Sequence, residues 1–465
     1  MAIGEDEAAA LTATEAVAAL ACGRLELPEY VEALLRRTER LAHLNAYVTH
    51  DADAVLAAAR RPESARGPLH GLPVGVKDSI GTADMPTGAG TPGLDGWTPP
   101  VDAAVVAALR EAGATLTGKL GLHELSTGVT TNNPHTGAVR NPYRPDHHTG
   151  GSSGGTAAAV AAGLVPAGLG GDTGGSCRIP AALCGCVGFR PTLGRYSQQG
   201  CVPISSTRDT PGPLARTVAD VRLLDAACTG AQPTARRELE GLRLGVPRDP
   251  FYRDLDPRVA ALAEATLDLL AAHGAVLVEI DLSTLPEVHE RSGLAIPLHE
   301  TARELAVYLL DNEAPFGPRH VIGNIAGAEV RDLWNRRIEP AVYREALVVH
   351  RPALQALYAG AFASHSVEAL VVPTTVLPAV PNRPPGEDTT VVLNGETLPL
   401  FPTYLRNTDP ASGAGLPALS VPAGLADDGL PVGIELVGSA GTDDVILAIG
   451  EALEAARGPI PPPAL

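Results

Sequence analysis

The spacing of apolar residues switches along the chain between a helical period and short apolar runs. In residues 14–40, apolar side chains recur every three or four positions, which predicts helices packed against the outside of the main body. Further helices are predicted at 102–110, with Asp102 as the cap, and at 156–162, 217–228 and 257–272. Strands are predicted at 72–76, 114–117, 242–246 and 275–280. This alternation favours an α/β fold with a large, mixed, mostly buried β-sheet sandwiched between helices.

The pattern also divides the chain into segments. A length of 465 residues allows two or three domains, but large α/β enzymes often use it for one body, so we expect a single domain 1–465. Its parts are an N-terminal helical segment 1–65, a core 66–228 and a second half of the sheet 241–465. Residues 229–240 are polar and poor in bulky apolar side chains, which predicts a surface connection. Residues 298–363 are predicted to be mainly helical and to lie on the substrate side.

Composition and charge exclude several classes of function. Hydrophobic residues make up 45% of the chain and charged residues 19%, which is typical of a globular protein. The net charge of −18 argues against nucleic acid as a partner, because proteins that bind it concentrate Lys and Arg. The acidic N-terminus lacks the positive region of a secretory signal, which predicts a cytoplasmic protein. The longest apolar stretch, 157–171, contains Pro166 and is shorter than the roughly 20 residues of a membrane span, so no membrane partner is expected.

Two glycine-rich runs that contain serine carry the strongest chemical signal. They are Gly150-Gly-Ser-Ser-Gly-Gly and Asp172-Thr-Gly-Gly-Ser. Successive glycines let backbone amides converge on one point, which suits the negative charge of a tetrahedral intermediate. Ser176 is therefore a candidate nucleophile. Its oxyanion hole would be formed by the amides of Thr173, Gly174 and Gly175, together with its own.

A serine nucleophile needs a base within hydrogen-bond reach, because free serine is weakly nucleophilic. His147 and His148 lie in a loop before the first glycine run. Lys77 follows directly after the predicted strand at 72–76, where burial would lower its pKa towards that of a useful base. A lysine in such a position is more often solvated or ion-paired, so the residues alone leave both interpretations of Lys77 open.

Several motifs that suggest other chemistry are better explained by structure. Gly151-Ser-Ser-Gly-Gly matches a hydrolase elbow centred on Ser153, but polar residues precede it where an elbow needs a buried strand. Ser153 is therefore expected to be a hydrogen-bonding support. The near P-loop before Lys119 is interpreted as a strand that ends in an exposed lysine, because Leu120 replaces the required Ser or Thr. Arg178 is expected to pair with a carboxylate such as Asp172.

No metal site is expected from the histidines and cysteines. His123, His147 and His148 have no partners at the spacing of metal ligands, which favours solvated or structural roles. The six cysteines lack paired C-x-x-C spacing and are expected to be reduced core residues.

Taken together, the motifs give the chain a specific resemblance. Gly-Val-Lys-Asp at 75–78, the two glycine-rich runs, Arg-Ile-Pro-Ala at 178–181 and Gly-Phe-Arg-Pro-Thr at 188–192 stand in the order of one family. The chain resembles the amidase signature family over nearly its whole length, and the interval between its two serines also matches. The resemblance implies the amidase signature fold, with residues 66–228 as the signature core.

The resemblance also implies a catalytic triad of Lys77, Ser152 and Ser176. Ser152 would follow a cis peptide bond. Neutral Lys77 would accept a proton through Ser152 while Ser176 attacks an amide carbonyl, giving an acyl-enzyme that water then hydrolyses. No cofactor is implied, because the nucleophile, the base and the oxyanion donors are all protein groups.

The segments 194–213 and 407–418 look more like those of arylacetamide-type members, such as indoleacetamide and mandelamide hydrolases, than like those of the amidotransferase subunit that acts on charged tRNA. In related enzymes the stretch before the two serines forms part of the acyl pocket, which corresponds here to Ser126, Gly128, Val129 and Thr131. The expected partner is a small neutral, aryl or arylalkyl amide, and a homodimer is left open.

Two classes of alternative also stay open. The same triad could cleave an ester, hydrazide or carbamate. The chain could instead be an amidotransferase subunit that needs a partner chain and ATP. A binding protein without activity is disfavoured, because the residues that correspond to the triad are present.

Overall fold

The computed structural model describes residues 3–61, 66–231 and 235–465. Residues 1–2 and 62–65 of the predicted N-terminal segment, and residues 232–234 of the predicted surface connection, lie outside the described residues. The strands in the described part of the chain are β1 Tyr47–Thr49, β2 Pro73–Lys77, β3 Thr115–Leu120, β4 Asn132–Asn133, β5 Gly137–Ala138, β6 Ala167–Asp172, β7 Val187–Arg190, β8 Thr210–Ala215, β9 Arg243–Val246, β10 Val276–Glu279, β11 Ala369–Pro373, β12 Thr390–Leu393, β13 Glu396–Pro399, β14 Ala418–Leu425 and β15 Pro431–Val437. Eleven of them form one sheet in the order β1-β3-β2-β6-β8-β7-β14-β15-β11-β9-β10, and β4-β5 and β12-β13 form two small two-stranded sheets.

The sheet is mixed, as the sequence predicts. β2 is parallel to its neighbours β3 and β6, and β9 is parallel to β10 and β11. The central strands of the sheet pair antiparallel with their neighbours, in the order β6-β8-β7-β14-β15. Strands from the N-terminal, core and second-half segments all enter this one sheet.

Helices cover both faces of the sheet. They are α1 Glu5–Ala10, α2 Ala13–Ala21, α3 Leu27–Arg40, α4 Ala52–Ala59, α5 Ala104–Glu111, α6 Gly154–Ala161, α7 Arg178–Cys184, α8 Val218–Thr229, α9 Arg248–Phe251, α10 Pro257–Ala272, α11 Leu285–Gly293, α12 Ala295–Asp311, α13 Pro318–Gly323, α14 Ala328–Asn335, α15 Pro340–Glu345, α16 Arg351–His365, α17 Leu400–Leu405, α18 Asp409–Ala414 and α19 Asp443–Arg457. Helices α6 and α7 pack on one face, and α8, α10 and α19 pack on the other. The predicted α/β fold, with a large mixed sheet between helices, is confirmed.

The prediction of core cysteines is correct for Cys177, Cys184 and Cys186 but wrong for the exposed Cys22. Two local predictions about charged side chains are also wrong. Ala103, not Asp102, is the N-cap of α5. The carboxylate of Asp102 accepts a hydrogen bond from the Ala83 amide and pairs with Arg110 instead. Lys119 is fully buried, because its ammonium group donates to the Ile80 carbonyl at 2.8 Å and finds further partners on the same loop. Contacts with residues elsewhere in the chain therefore determine where the side chains of Asp102 and Lys119 lie.

The stretch at 298–363 is helical, as predicted. It consists of most of α12, the helices α13 to α15, a π-helical turn at 346–350 and α16. None of the helices in the described ranges combines the length and the apolar character that a membrane crossing requires.

Close packing of α6 against the loop after β3 gives a stability prediction. A Cβ atom added at Gly155 would lie 2.4 Å from both the backbone nitrogen and the backbone oxygen of Gly121. We expect Gly155→Ala to lower the free energy of unfolding by roughly 1–3 kcal/mol, because a backbone contact of this kind has little room to relax. The measurement is urea unfolding followed by circular dichroism.

The matched control is Gly360→Ala in α16. A Cβ atom at Gly360 meets nothing within 4 Å, so the helix propensity of alanine should raise the stability by about 0.5–1 kcal/mol. Equal effects of the two substitutions would contradict the packing argument.

Candidate active site

The sheet brings the predicted catalytic residues to one edge. Lys77 ends β2, and Ser176 lies in the turn that follows β6. Because β2 and β6 are parallel neighbours, with Val76 opposite Leu169, their carboxyl ends meet at the same edge of the sheet. Ser152 lies in the turn before α6, and its peptide bond to Gly151 is cis. Residues far apart in sequence therefore converge on one site.

Lys77 and Ser152 are in direct contact inside the protein. The ammonium nitrogen Nζ of Lys77 donates to Oγ of Ser152 at 2.7 Å, and both side chains are buried. Ser176 is tied to the same turn, since its carbonyl accepts a hydrogen bond from the Ser153 amide at 3.1 Å. The Ser153 hydroxyl donates to the Gly171 carbonyl at 3.1 Å, which is the supporting contact expected for it. Lys77 therefore contacts Ser152 directly, and the backbone of Ser176 is linked to the same turn through the amide of Ser153.

Burial changes the acid–base properties of this site. It lowers the pKa of Lys77 from its ordinary value to about 8, although Asp172 acts in the opposite direction. Burial also lowers the pKa of His123 to about 4, with the positive charge of Lys77 as a second cause. At neutral pH His123 is therefore uncharged. A pKa of about 8 leaves an appreciable fraction of Lys77 neutral at that pH, and the neutral form can act as a base.

Asp172 anchors the turn that carries Ser176. Its carboxylate accepts hydrogen bonds from the amides of Gly175 at 3.0 Å and Cys177 at 3.1 Å. It also forms ion pairs with Arg178 and Arg190, each at 3.0 Å, and all three side chains are fully buried. Burial alone would raise the pKa of Asp172, but the two guanidinium groups hold it well below its usual range. The predicted pairing of Arg178 with Asp172 is confirmed.

This arrangement corrects one predicted oxyanion donor. Thr173, Gly174 and Gly175 do form the turn before Ser176, but the Gly175 amide is engaged by Asp172. Within the described residues, the amides of Thr173, Gly174 and Ser176 have no backbone or side-chain acceptor. Gly175 is needed for a different reason, because its φ of 140° and its contact with Thr408 leave no room for a side chain.

A cavity opens directly onto Ser176. It offers about 80 Å³ to water-sized molecules, and its walls come from the 126–129 loop, α12, α14 and α17. Ser126, Gly128 and Val129 line it, as the resemblance implies. Thr131 does not, because its hydroxyl donates to the Gly150 carbonyl at 2.7 Å and accepts from the Gly154 amide. Thr131 therefore supports the turn around Ser152 instead of forming part of the pocket.

The rest of the cavity wall is mainly apolar. Its two charged lining residues, Arg208 and Asp409, form an ion pair with each other. The His289 imidazole contacts the same carboxylate at 2.7 Å. The remaining lining includes Ile204, Leu294, Pro297, Leu298, Leu333, Trp334, Phe401 and Leu405.

Sequence reasoning missed several residues of the site. Glu435 pairs with Arg178 at 2.7 Å, and its isolated acidic position in the apolar strand β15 was a usable signal. Arg190 lay within a quoted motif without an assigned role. Trp334 and Phe401 line the cavity, but no sequence pattern indicates the direction of their side chains.

The predicted structural role of a histidine is supported by the contacts of His148. His148 is buried, with its Nδ1 atom 3.0 Å from the Gly150 amide and its Nε2 atom 3.1 Å from the Tyr404 hydroxyl. Burial lowers the pKa of His148 to about 3, so the ring is neutral. Across the described part of the chain, no group of three or more His, Cys, Asp or Glu side chains is arranged to hold a metal ion.

Comparison with known proteins assigns the family. A family model described as Amidase matches residues 29–447. The chain belongs to the amidase family. Indoleacetamide hydrolase from Rhizobium radiobacter is 44% identical to this amidase over 439 residues, which is 92% of this chain and 93% of that one. Mandelamide hydrolase from Pseudomonas putida is 38% identical and covers 97% of this chain and 92% of its own.

Solved structures agree with this assignment. A crystal structure of an amidase, 34% identical in sequence, covers 96% of this chain and 100% of its own with a TM-score of 0.85. The resemblance found in the sequence is thus confirmed. This amidase is a hydrolase that acts on amide carbon–nitrogen bonds.

The buried ion pairs of this amidase give a second prediction. We expect Asp172→Asn to lower the free energy of unfolding by roughly 3–5 kcal/mol, because it leaves Arg178 and Arg190 without their shared carboxylate in the interior. The measurement is the urea unfolding curve at neutral pH.

The control is Asp84→Asn, which removes a carboxylate from a largely exposed pair with Arg110. A change below about 1 kcal/mol is expected there, since solvent screens such pairs. A similarly small change for Asp172→Asn would show that the buried network does not stabilise the fold.

Proposed function

We propose that the protein hydrolyses a small neutral, aryl or arylalkyl carboxamide to the carboxylic acid and ammonia. The observation that carries this proposal is the buried 2.7 Å contact between Lys77 and Ser152, beside the turn of Ser176 and its apolar cavity. The names of the two relatives support the aryl acyl group. The proposed catalytic residues are Lys77, Ser152 and Ser176.

The proposed first half-reaction forms an acyl-enzyme. Neutral Lys77 accepts the Ser152 hydroxyl proton while Ser152 takes the proton of Ser176, so that the Ser176 oxygen can attack the amide carbonyl. Negative charge then develops on the carbonyl oxygen. The free amides of Thr173, Gly174 and Ser176 are suited to stabilise it, because they need no reorganisation during the reaction. Ser152 returns a proton to the leaving nitrogen, and ammonia departs.

The second half-reaction uses the same groups in reverse. Water enters after ammonia has left, and Ser152 and Lys77 remove its proton as it attacks the ester carbonyl of acylated Ser176. Collapse of the intermediate releases the carboxylic acid and restores the Ser176 hydroxyl. Over the cycle the Ser176 proton leaves with ammonia and a proton of the attacking water replaces it, so Ser152 and Lys77 end as they began and the cycle needs no cofactor.

The cavity supports a neutral acyl group. Its charged members Arg208 and Asp409 neutralise each other, and its remaining wall is mainly apolar. A charged substrate group would lose its hydration without gaining a free partner, which is unfavourable. A planar apolar ring would instead contact Leu, Phe and Trp side chains.

The first experiment measures ammonia release from phenylacetamide, indoleacetamide and short aliphatic amides by the purified chain, with EDTA and without ATP. We expect hydrolysis of the aryl amides by the wild type. Ser176→Ala should lower the rate by roughly a thousandfold or more, because the nucleophile is removed.

The control is Ser283→Ala, which changes an exposed serine that does not line the cavity and should keep wild-type activity. Equal rates for Ser176→Ala and the wild type would refute the proposed nucleophile. Release from esters but from no amide would favour the alternative substrates. A requirement for a second chain and ATP would favour the amidotransferase alternative.

The lowered pKa of Lys77 gives a pH prediction. Because the active form has neutral Lys77, kcat/KM should rise about tenfold per pH unit below pH 8 and level off above it. The profile is measured from pH 6 to pH 10 with phenylacetamide.

Burial also lowers the pKa of Lys119 to about 8, so a control must separate the two lysines. Lys119→Arg keeps a positive charge in the interior and should retain the rise near pH 8. If that rise disappears in Lys119→Arg, the pH dependence belongs to Lys119 and not to Lys77.

A further inference from the structure

Trp334 occupies a fixed position in the wall of the cavity. It lies near the end of α14, is almost fully buried and lines the cavity that opens onto Ser176. Its indole nitrogen donates to the Thr127 hydroxyl at 2.9 Å. Thr127 in turn donates its own hydroxyl proton to the Leu125 carbonyl at 3.0 Å. Donor and acceptor roles are therefore fully assigned, and the indole ring has one hydrogen-bonded orientation.

The loop of residues 124–127, whose Thr127 accepts the hydrogen bond from the Trp334 indole, is itself constrained. Leu125 and Ser126 have φ values of 49° and 58°, in the left-handed region that residues with side chains rarely adopt. The loop keeps this conformation through backbone contacts, such as the hydrogen bond from the Leu125 amide to the Ala89 carbonyl at 2.8 Å. A strained backbone of this kind persists only where its surroundings enforce it.

A second contact ties the other end of α14 to the same loop. The buried carboxylate of Glu124 accepts hydrogen bonds from the amides of Ala326 at 2.8 Å and Gly327 at 2.7 Å, immediately before α14 begins. Charged acceptors make such bonds stronger than neutral ones. Glu124 and Thr127 therefore hold both ends of α14, and the ring of Trp334 cannot shift without disturbing this loop.

We infer that Trp334 determines the acyl specificity of the enzyme and that Thr127 is its positioning residue. This inference rests on the proposed function, because it concerns the acyl group that enters the Ser176 cavity. A flat indole held in one orientation offers a planar surface to an aromatic acyl ring. Aromatic pairs gain attraction beyond the area that they bury, whereas a branched aliphatic group gains only the burial.

The test compares kcat and KM for phenylacetamide and isobutyramide in a set of variants. Trp334→Leu keeps an apolar wall without the ring, and it should lower the preference for phenylacetamide, expressed as a ratio of kcat/KM values, by about tenfold. Thr127→Val removes the acceptor with little change of shape. It should raise KM for phenylacetamide by roughly threefold to tenfold, with kcat within about twofold, and Thr127→Ser should restore both values.

Trp97→Phe is the matched control. Trp97 belongs to the same buried cluster as Trp334 but does not line the cavity, so its replacement should leave the preference unchanged. If Trp334→Leu and Trp97→Phe reduce activity on both substrates equally, the role of Trp334 is structural and the inference is overturned. A loss in kcat alone for Thr127→Val would overturn the positioning role.

A binding measurement separates this inference from the proposed function. The chain has two tryptophans, so Trp97→Phe leaves Trp334 as the one fluorescent indole. In the double variant Ser176→Ala with Trp97→Phe, phenylacetamide should change the Trp334 emission at lower concentration than isobutyramide. Selective binding without hydrolysis by the wild type would refute the proposed reaction and retain the specificity role. Hydrolysis by the wild type with equal binding of both amides would support the proposed reaction and refute the specificity role of Trp334.

Discussion

Two carboxylates and two guanidinium groups meet in the interior directly behind the turn of Ser176. Asp172 ends β6, Arg178 begins α7, Arg190 ends β7 and Glu435 lies in β15, so these charges join four elements of the fold. Removing ions from water is costly unless each finds close partners. Each of these four groups has an opposite charge within 3.0 Å, but one oxygen of Glu435 has no hydrogen-bond partner among the described residues, and burial raises the pKa of Glu435 to about 7. The shape of the turn of Ser176 therefore depends on this network as well as on Gly175. It also explains why one predicted oxyanion amide, that of Gly175, serves the carboxylate instead.

The contrast between two buried lysines shows what makes one of them suitable as a base. Lys77 and Lys119 lie on adjacent strands, and burial lowers the pKa of each to about 8. Lys119 donates to the Ile80 carbonyl and the Thr87 hydroxyl, and its nitrogen lies 3.7 Å from Asp78, so it holds a loop in place. Lys77 donates to Ser152, beside the turn of Ser176. A shifted pKa and a contact with a hydroxyl are thus common to both lysines. The proposed base is distinguished by the position of its partner, because the Ser152 hydroxyl lies beside the turn of Ser176.

The sequence was informative where local rules apply and failed where distant segments meet. Helical and strand periods placed α10 and the other individually predicted elements, such as α8 and β9, within a few residues, because these periods depend on neighbours in the chain. The motifs brought Lys77, Ser152 and Ser176 together through a family resemblance. Three predictions about single side chains were wrong, namely the helix cap at Asp102, the exposure of Lys119 and the pocket position of Thr131. In each case the side chain bonds to a residue in a distant segment of the chain. Trp334 and Thr127 are 207 positions apart, and no local pattern connects them.

The place of β15 in the sheet has a consequence for how the enzyme is made. Glu435 follows Arg178 by 257 positions, and a ribosome produces the amino end first. While β14 and β15 are still being synthesised, β7 has an unpaired edge, and the Arg178 guanidinium lacks one of its two carboxylates. Open edges of this kind invite pairing with other chains. The residues of the candidate site in the first half are therefore translated well before Glu435, which completes the buried ionic network behind the turn of Ser176.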